Sequence, residues 1–177
     1  MAADFVYAQV PPAPASVVQD RTASYLLPSR ALGAQTYLLS PVERAQRVKQ
    51  GVPARELVAV SQAMGLPREQ LMRALGLARS TVERKIAQRG TLSQPEGERL
   101  IGLERLIGQV DAMVRESAAD DAANGAADFD AARWFARWMA EPVAALGGMA
   151  PQDLLDTADG REAVSTLLLQ IQSGAYA

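Results

Sequence analysis

The stretch EQLMRALGLARSTVERKIAQR, residues 69–89, decides the fold. Gly76 divides it into two short segments of helical period: Leu71, Met72 and Leu75 lie on one face before the glycine, and Val82 and Ile86 lie one turn apart after it. Leu77 follows the turn as an apolar plug, and Val82, six residues past Gly76, anchors the second helix on the first. A short helix, a tight glycine turn and a second helix are the parts of a helix-turn-helix, in which one helix fits a DNA groove while the other braces on the backbone. Four residues before the glycine, where alanine would allow the closest helix contact, the chain has Met72, which predicts slightly wider packing or a shifted register.

In this frame Arg79, Ser80 and Thr81 open the recognition helix, Arg84 follows one turn on, and Lys85 and Arg89 are placed to reach phosphates. Arginine pairs bidentately with guanine, and hydroxyls meet bases or phosphates. Glu83, on or near the same face, either accepts from cytosine or leans toward a neighbouring arginine.

Working outward, Leu57, Val60 and Met64 predict a helix ended by Gly65 and Pro67, and Pro41 and Pro53 bracket a shorter one. Downstream, Gly90 stops the recognition helix. Ser93 and Glu96 form a capping-box pattern that opens a long helix with an apolar stripe of Leu100, Leu103, Leu106, Ile107, Val110 and Val114. Residues 41–115 are thus expected to form a DNA-binding domain with a long connecting helix. The stripe, being self-complementary, predicts a homodimer able to read two half-sites. Residues 1–40, with Pro11, Pro12, Pro14 and Pro28 and no sustained period, predict a flexible arm.

Residues 116–127 are rich in Ala, Asp, Asn and Gly and are read as a linker or frayed helix end. In 128–177 Asp128 or Asp130 caps a helix bearing Phe129, Ala132, Phe135, Trp138 and Met139; a glycine loop, a short helix from Pro151 and a last helix with Val164, Leu167, Leu168 and Ile171 follow. No segment has the period of a strand, so the fold class is all-α. Phe135, Trp138, Val164 and Leu168 are expected in the core, Trp134 as an interface anchor, and Asp153, Asp156, Asp159 and Glu162 as solvated surface.

Charge is partitioned along the chain. Residues 41–90 hold ten basic and four acidic side chains, net +6; residues 91–177 hold six basic and fourteen acidic, net −8. The middle attracts a polyanion and the end repels one, so an overall charge of −2 does not argue against DNA. Charge alone equally fits a solvated basic face. The 177 residues contain no cysteine and no histidine, which excludes disulfides, thiolate or Ser-His-Asp nucleophilic relays and the usual zinc sites. No basic leader with an apolar core and no run of about 18 apolar residues occurs, so the expected location is the cytoplasm. Asp128 and Asp130 are the nearest approach to an acid-base pair, and at a helix start they read as caps; no catalytic residue, cofactor site or metal site is expected.

The order Trp138, Pro142, Leu146-Gly147-Gly148, Pro151, Leu154-Leu155, Gly160, Val164, Leu167-Leu168, Ile171, Gly174 resembles the toxin-binding domain of the Xre/MbcA/ParS antitoxins, in which an Xre-type helix-turn-helix precedes that domain. The resemblance covers about residues 53–177. It implies an antitoxin of a type II toxin-antitoxin system whose partner is a RES-domain toxin that consumes NAD or transfers ADP-ribose from it, with operator DNA as the second ligand. It further implies that Trp134, Gly147 and Gly148 contribute to toxin binding, and that the tail Gly174, Ala175, Tyr176 and Ala177 is presented to the toxin's cleft. The competing reading is a helix-turn-helix transcription regulator whose acidic domain only dimerises.

Overall fold

Helix α6, Gln94–Ala119, is the axle around which the rest of the chain packs in a computed structural model that describes residues 32–119 and 129–174. Its start is fixed as the sequence predicts: the Ser93 N–H donates to Glu96 Oε2 at 2.7 Å. Before it lie α1 (Ala34–Leu38), α2 (Pro41–Gln50), α3 (Arg55–Met64), α4 (Arg68–Ala74) and α5 (Arg79–Ala87); after it lie α7 (Ala131–Trp138), 3₁₀ turns at Ala144–Leu146 and Pro151–Leu154, and α8 (Ala158–Gln172). The described residues contain no strand, only a bridge between Pro53 and Thr91. All-α is the observed class.

The apolar stripe of α6 is consumed inside the chain. Leu100, Leu103, Leu106, Ile107 and Val110 are buried, and α1, α2, α7 and α8 pack on this helix. The stripe therefore offers no dimer surface, which corrects the inference drawn from its periodicity; Val114, at its end, is half-buried. Leu57, Leu71 and Val82 from the first half belong to the same buried cluster as Phe135, Leu155, Val164 and Leu168 from the second, so the two sequence modules share one core. Full burial of side chains of this size stabilises by about 1.5–3 kcal/mol each, which makes the shared core the main bond between modules.

Glycines in α6 mark where other elements cross it. A Cβ on Gly102 would lie 2.5 Å from Arg161 Nε, and one on Gly108 would lie 2.2 Å from the Gly33 carbonyl oxygen. Glycine costs about 1 kcal/mol against alanine inside a helix, and here that cost is offset by close approach of α8 and of the segment before α1.

That approach alters the reading of residues 1–40. Residues 32–40 are folded: Gly33 is buried against α6, α1 packs along that helix, and Ser40 caps α2 through a capping box with Glu43. Residues 1–31 lie outside the described residues, as do 120–128; within 116–127, α6 continues to Ala119. A buried polar knot ties α1 down. Thr36 Oγ1 donates to Glu104 Oε2 at 2.8 Å, Arg47 Nη1 donates to both (2.8 and 3.0 Å), and Arg47 Nη2 reaches Glu56 Oε2 at 2.7 Å. Burial pushes the Glu104 carboxyl up, opposed by the Arg47 charge and the Thr36 hydroxyl, while its two carboxylate partners hold Arg47 above the usual guanidinium value against the effect of burial.

Candidate functional site

Helices α4 and α5 meet at a turn in which Gly76 has φ +58°, a left-handed conformation that glycine adopts without the Cβ clash of other residues. The Leu77 N–H closes the end of α4 on the Met72 carbonyl at 2.8 Å, and Met72, Leu75, Leu77 and Val82 are all buried. Met72 is accommodated as a core side chain. From α6, Arg99 Nη1 donates to the Gly76 carbonyl at 2.8 Å and to that of Leu75 at 3.3 Å, so the turn is braced from a helix outside the motif. The sequence pattern of residues 69–89 carries no sign of that brace.

The six expected DNA contacts do not share one environment. Arg79, first in α5, is exposed and pairs with Glu69 Oε1 at 3.0 Å; Ser80, Arg84 and Arg89 are exposed, and Thr81 is half-buried. Lys85 differs: its side chain is only 22% exposed and its ammonium is hydrogen-bonded to Glu96 Oε2, tying α5 to the start of α6. Burial alone would raise the Glu96 carboxyl, but hydrogen bonds from Lys85 and Ser93 hold it below the usual value. Glu83 turns toward Arg68 at 3.0 Å, one of its two expected placements. Helix α5 ends through Arg89 at φ +52°, the one non-glycine residue with positive φ among those described; the Arg89 N–H bonds the Ile86 carbonyl and the Gly90 N–H that of Lys85, at 3.1 and 2.8 Å. This is a Schellman ending with arginine where glycine is usual, and Gly90, expected to end the helix, follows it.

In the second module Asp130 Oδ1 accepts from the Arg133 N–H at 3.0 Å, which makes it the cap of α7; Asp128 lies outside the described residues. Phe135, Val164 and Leu168 are buried as expected. Trp138, expected in the core, is only half-buried at the edge of it, and it stacks on Trp134 with centroids 5.6 Å apart and planes 12° apart. Phe129 tilts onto Trp134 at 6.3 Å and Phe135 onto Trp138 at 5.7 Å, so Trp134, also half-buried, is one member of an aromatic ladder rather than an isolated exposed ring. Gly147 and Gly148 have φ +68° and +81° with open space beside them, so conformation and not close packing requires glycine there.

Helix α8, capped by Thr157 on the Gly160 N–H at 3.0 Å, buries Val164, Leu167 and Leu168. Ile171, expected on the inner face, is instead 41% exposed, and Leu169 is 51% exposed. Gly174, at φ +69°, is exposed; Ala175, Tyr176 and Ala177 lie outside the described residues. Arg161 is buried, donates to the Leu155 carbonyl at 2.8 Å and pairs with Glu98 at 3.6 Å; burial lowers its guanidinium, which Glu98 counteracts. Among the described residues no helix is long and apolar enough to cross a membrane.

Residues 43–105 match the Antitoxin Xre-like helix-turn-helix domain, and residues 125–174 match the Antitoxin Xre/MbcA/ParS C-terminal toxin-binding domain. The chain is also 42% identical over 141 residues, 80% of its length and 85% of the relative's, to a protein named Prs ADP-ribosylating antitoxin from Sphingobium sp. (strain YBL2). With both modules matched in this order and a relative this similar along most of its length, the chain belongs to the Xre/MbcA/ParS antitoxins.

Proposed function

We propose that this antitoxin neutralises a RES-domain toxin, one that consumes NAD or transfers ADP-ribose from it, and represses its own operon through α5. The observation that carries the DNA half is the cluster of exposed Arg79, Ser80, Arg84 and Arg89 on a helix whose turn is braced from α6. The toxin half rests on the C-terminal domain match, on the name of the Sphingobium relative, which ties it to ADP-ribosylation of Prs, and on the uncovered Leu169 and Ile171 leading to Gly174. ADP-ribosyl chemistry belongs to the partner in this reading, and the antitoxin is a cytoplasmic, non-catalytic protein: it has neither cysteine nor histidine, and Asp130 is engaged as a cap. A homodimer would use surface other than the α6 stripe; the exposed Leu38 and Val42 are available for it.

Co-expression with the adjacent reading frame tests the toxin half. The parent should co-purify with that product and silence its NAD consumption or ADP-ribosyl transfer. Removal of residues 174–177 should retain the complex and restore part of the activity, whereas disruption at Gly147 and Gly148 should abolish the complex. A toxin silenced as fully by the truncated chain at equal concentration rules out a role for the tail. For the DNA half, Arg79→Ala with Arg84→Ala should weaken binding to the upstream promoter in gel shifts; unchanged binding at physiological salt rules out α5 as the reader.

A further inference from the structure

Helix α5 carries the exposed side chains assigned to DNA, yet its apolar anchor is thin. Within Arg79–Ala87 only Val82 is buried, and Ile86 is half-buried against the core. A helix held at one apolar point is free to tilt and roll about it. Two polar ties from the first turns of α6 remove that freedom. Arg99 Nη1 donates to the carbonyls of Gly76 and Leu75, at 2.8 and 3.3 Å, just before α5 begins. Glu96 accepts from the Lys85 ammonium on the far side of Val82, and both side chains of that pair are largely covered, which spares it the screening that weakens surface ion pairs. The base of the two ties is itself fixed. Leu100 is fully buried, the Leu92 N–H donates to the Val52 carbonyl at 2.8 Å, and a Cβ on Gly97 would lie 3.0 Å from Val52 Cγ2.

The angle of α5 matters unequally to the two kinds of DNA contact. Hydrogen bonds to base edges weaken steeply when distance or direction departs from the ideal, whereas phosphates are met through charge by long side chains that follow a small displacement. We propose that Glu96 and Arg99 of α6 are positioning residues for base reading, holding α5 at the angle from which Arg79 and Arg84 reach base edges. Lys85 is then the point on α5 that Glu96 holds, not a phosphate contact. This rests on the reading that α5 binds DNA. Specificity in this chain depends on two side chains that lie outside the helix-turn-helix and touch no base.

The test uses the full chain, its own upstream duplex and an unrelated duplex of equal length. It reads the ratio of the two dissociation constants, in which the change in net charge common to both duplexes cancels, and the salt dependence of each. Arg99→Met and Glu96→Gln should each lower that ratio about fivefold or more, the value of one well-made base contact, by weakening the upstream complex. Arg99→Lys, which keeps the charge and reaches one carbonyl, should recover part of the ratio. Lys85→Met should lower it as Glu96→Gln does, and the two together no further. A merely structural role predicts instead a lower melting temperature with equal weakening on both duplexes, and that result, or an unchanged ratio in the folded Glu96 and Arg99 variants, overturns the proposal. A salt slope reduced by about one in Lys85→Met assigns that ammonium to a phosphate and overturns the tie at that end. Arg79→Ala with Arg84→Ala leaves both ties in place, so unchanged binding of that variant, or a parent that favours neither duplex, marks failure of the α5 reading itself. Circular dichroism melts establish that each variant is folded at the assay temperature.

Discussion

Gln109 and Ser165 exchange two hydrogen bonds across the α6–α8 contact: Gln109 Nε2 donates to the Ser165 carbonyl at 2.9 Å, and the Ser165 hydroxyl donates to Gln109 Oε1 at 2.8 Å, both buried. Truncating either side chain leaves a desolvated polar group behind, at a cost of about 1–3 kcal/mol. Gln109→Ala and Ser165→Ala are each expected to destabilise by that amount in urea titration, and the double variant by less than the sum because they share the bond. Since α6 serves both modules, tryptophan fluorescence from α7 and far-ultraviolet circular dichroism should report one coincident transition. Two separated transitions would contradict the shared core.

The glycines of α6 separate steric cost by what stands opposite. A methyl group at Gly108 meets the backbone carbonyl of Gly33, while one at Gly102 meets the side chain of Arg161. Gly108→Ala should therefore be the more damaging change despite the roughly 1 kcal/mol gain in helix propensity common to both. Proteolysis should show α1 loosened in Gly108→Ala. Equal thermal stability of the two variants would count against this packing.

Arg89 sets stability against binding. A non-glycine residue in the left-handed region costs about 1 kcal/mol, so Arg89→Gly should raise stability by roughly 0.5–1 kcal/mol while weakening DNA binding and flattening its salt dependence. Arg89→Asn, which tolerates the same conformation, should weaken binding with a smaller gain in stability. If Arg89→Gly binds DNA as the parent does at every salt concentration, the side chain makes no phosphate contact.

Glu104 imposes a pH dependence of definite sign. Its folded-state pKa lies above the unfolded value, chiefly because burial disfavours the carboxylate, so between the two values the folded chain holds the proton that the unfolded chain releases. Its contribution is complete below the ordinary carboxylate range and is lost as pH rises through the raised value. The lowered Glu96 works in the opposite sense, losing its contribution as pH falls. The melting temperature of Glu104→Gln minus that of the parent should thus become more positive as pH increases from about 4.5. A difference constant with pH would show that Glu104 does not titrate on its own in that range.

Legibility in the sequence followed the range of the interaction. Local signals, such as Gly76 in its turn, Gly65 before Pro67 and Ser93 with Glu96, each found their place within a few residues of where periodicity put them. Non-local ones did not. The apolar stripe of α6 is the same string of residues whether its cover comes from another copy or from α1, α2, α7 and α8, and period alone cannot distinguish these. Lys85 has the spacing of a phosphate contact, yet Glu96, eleven positions on, engages its ammonium. The glycines of α6 carried the missing information, since each is a helix-weakening residue whose reason lies on a different element.

The common core also constrains how such antitoxins can diversify. Because α3 packs on α7 and α6 presents faces to both halves, an exchange of reading heads between two members joined near residue 125 would unite halves that were never selected to fit each other. Recombination that preserves function would have to carry the matching faces of α3, α6 and α7 together. If α5 reads the operator as proposed, new operator preferences would then arise mainly by point changes at exposed positions such as Arg79, Ser80 and Arg84, which lie outside that shared packing.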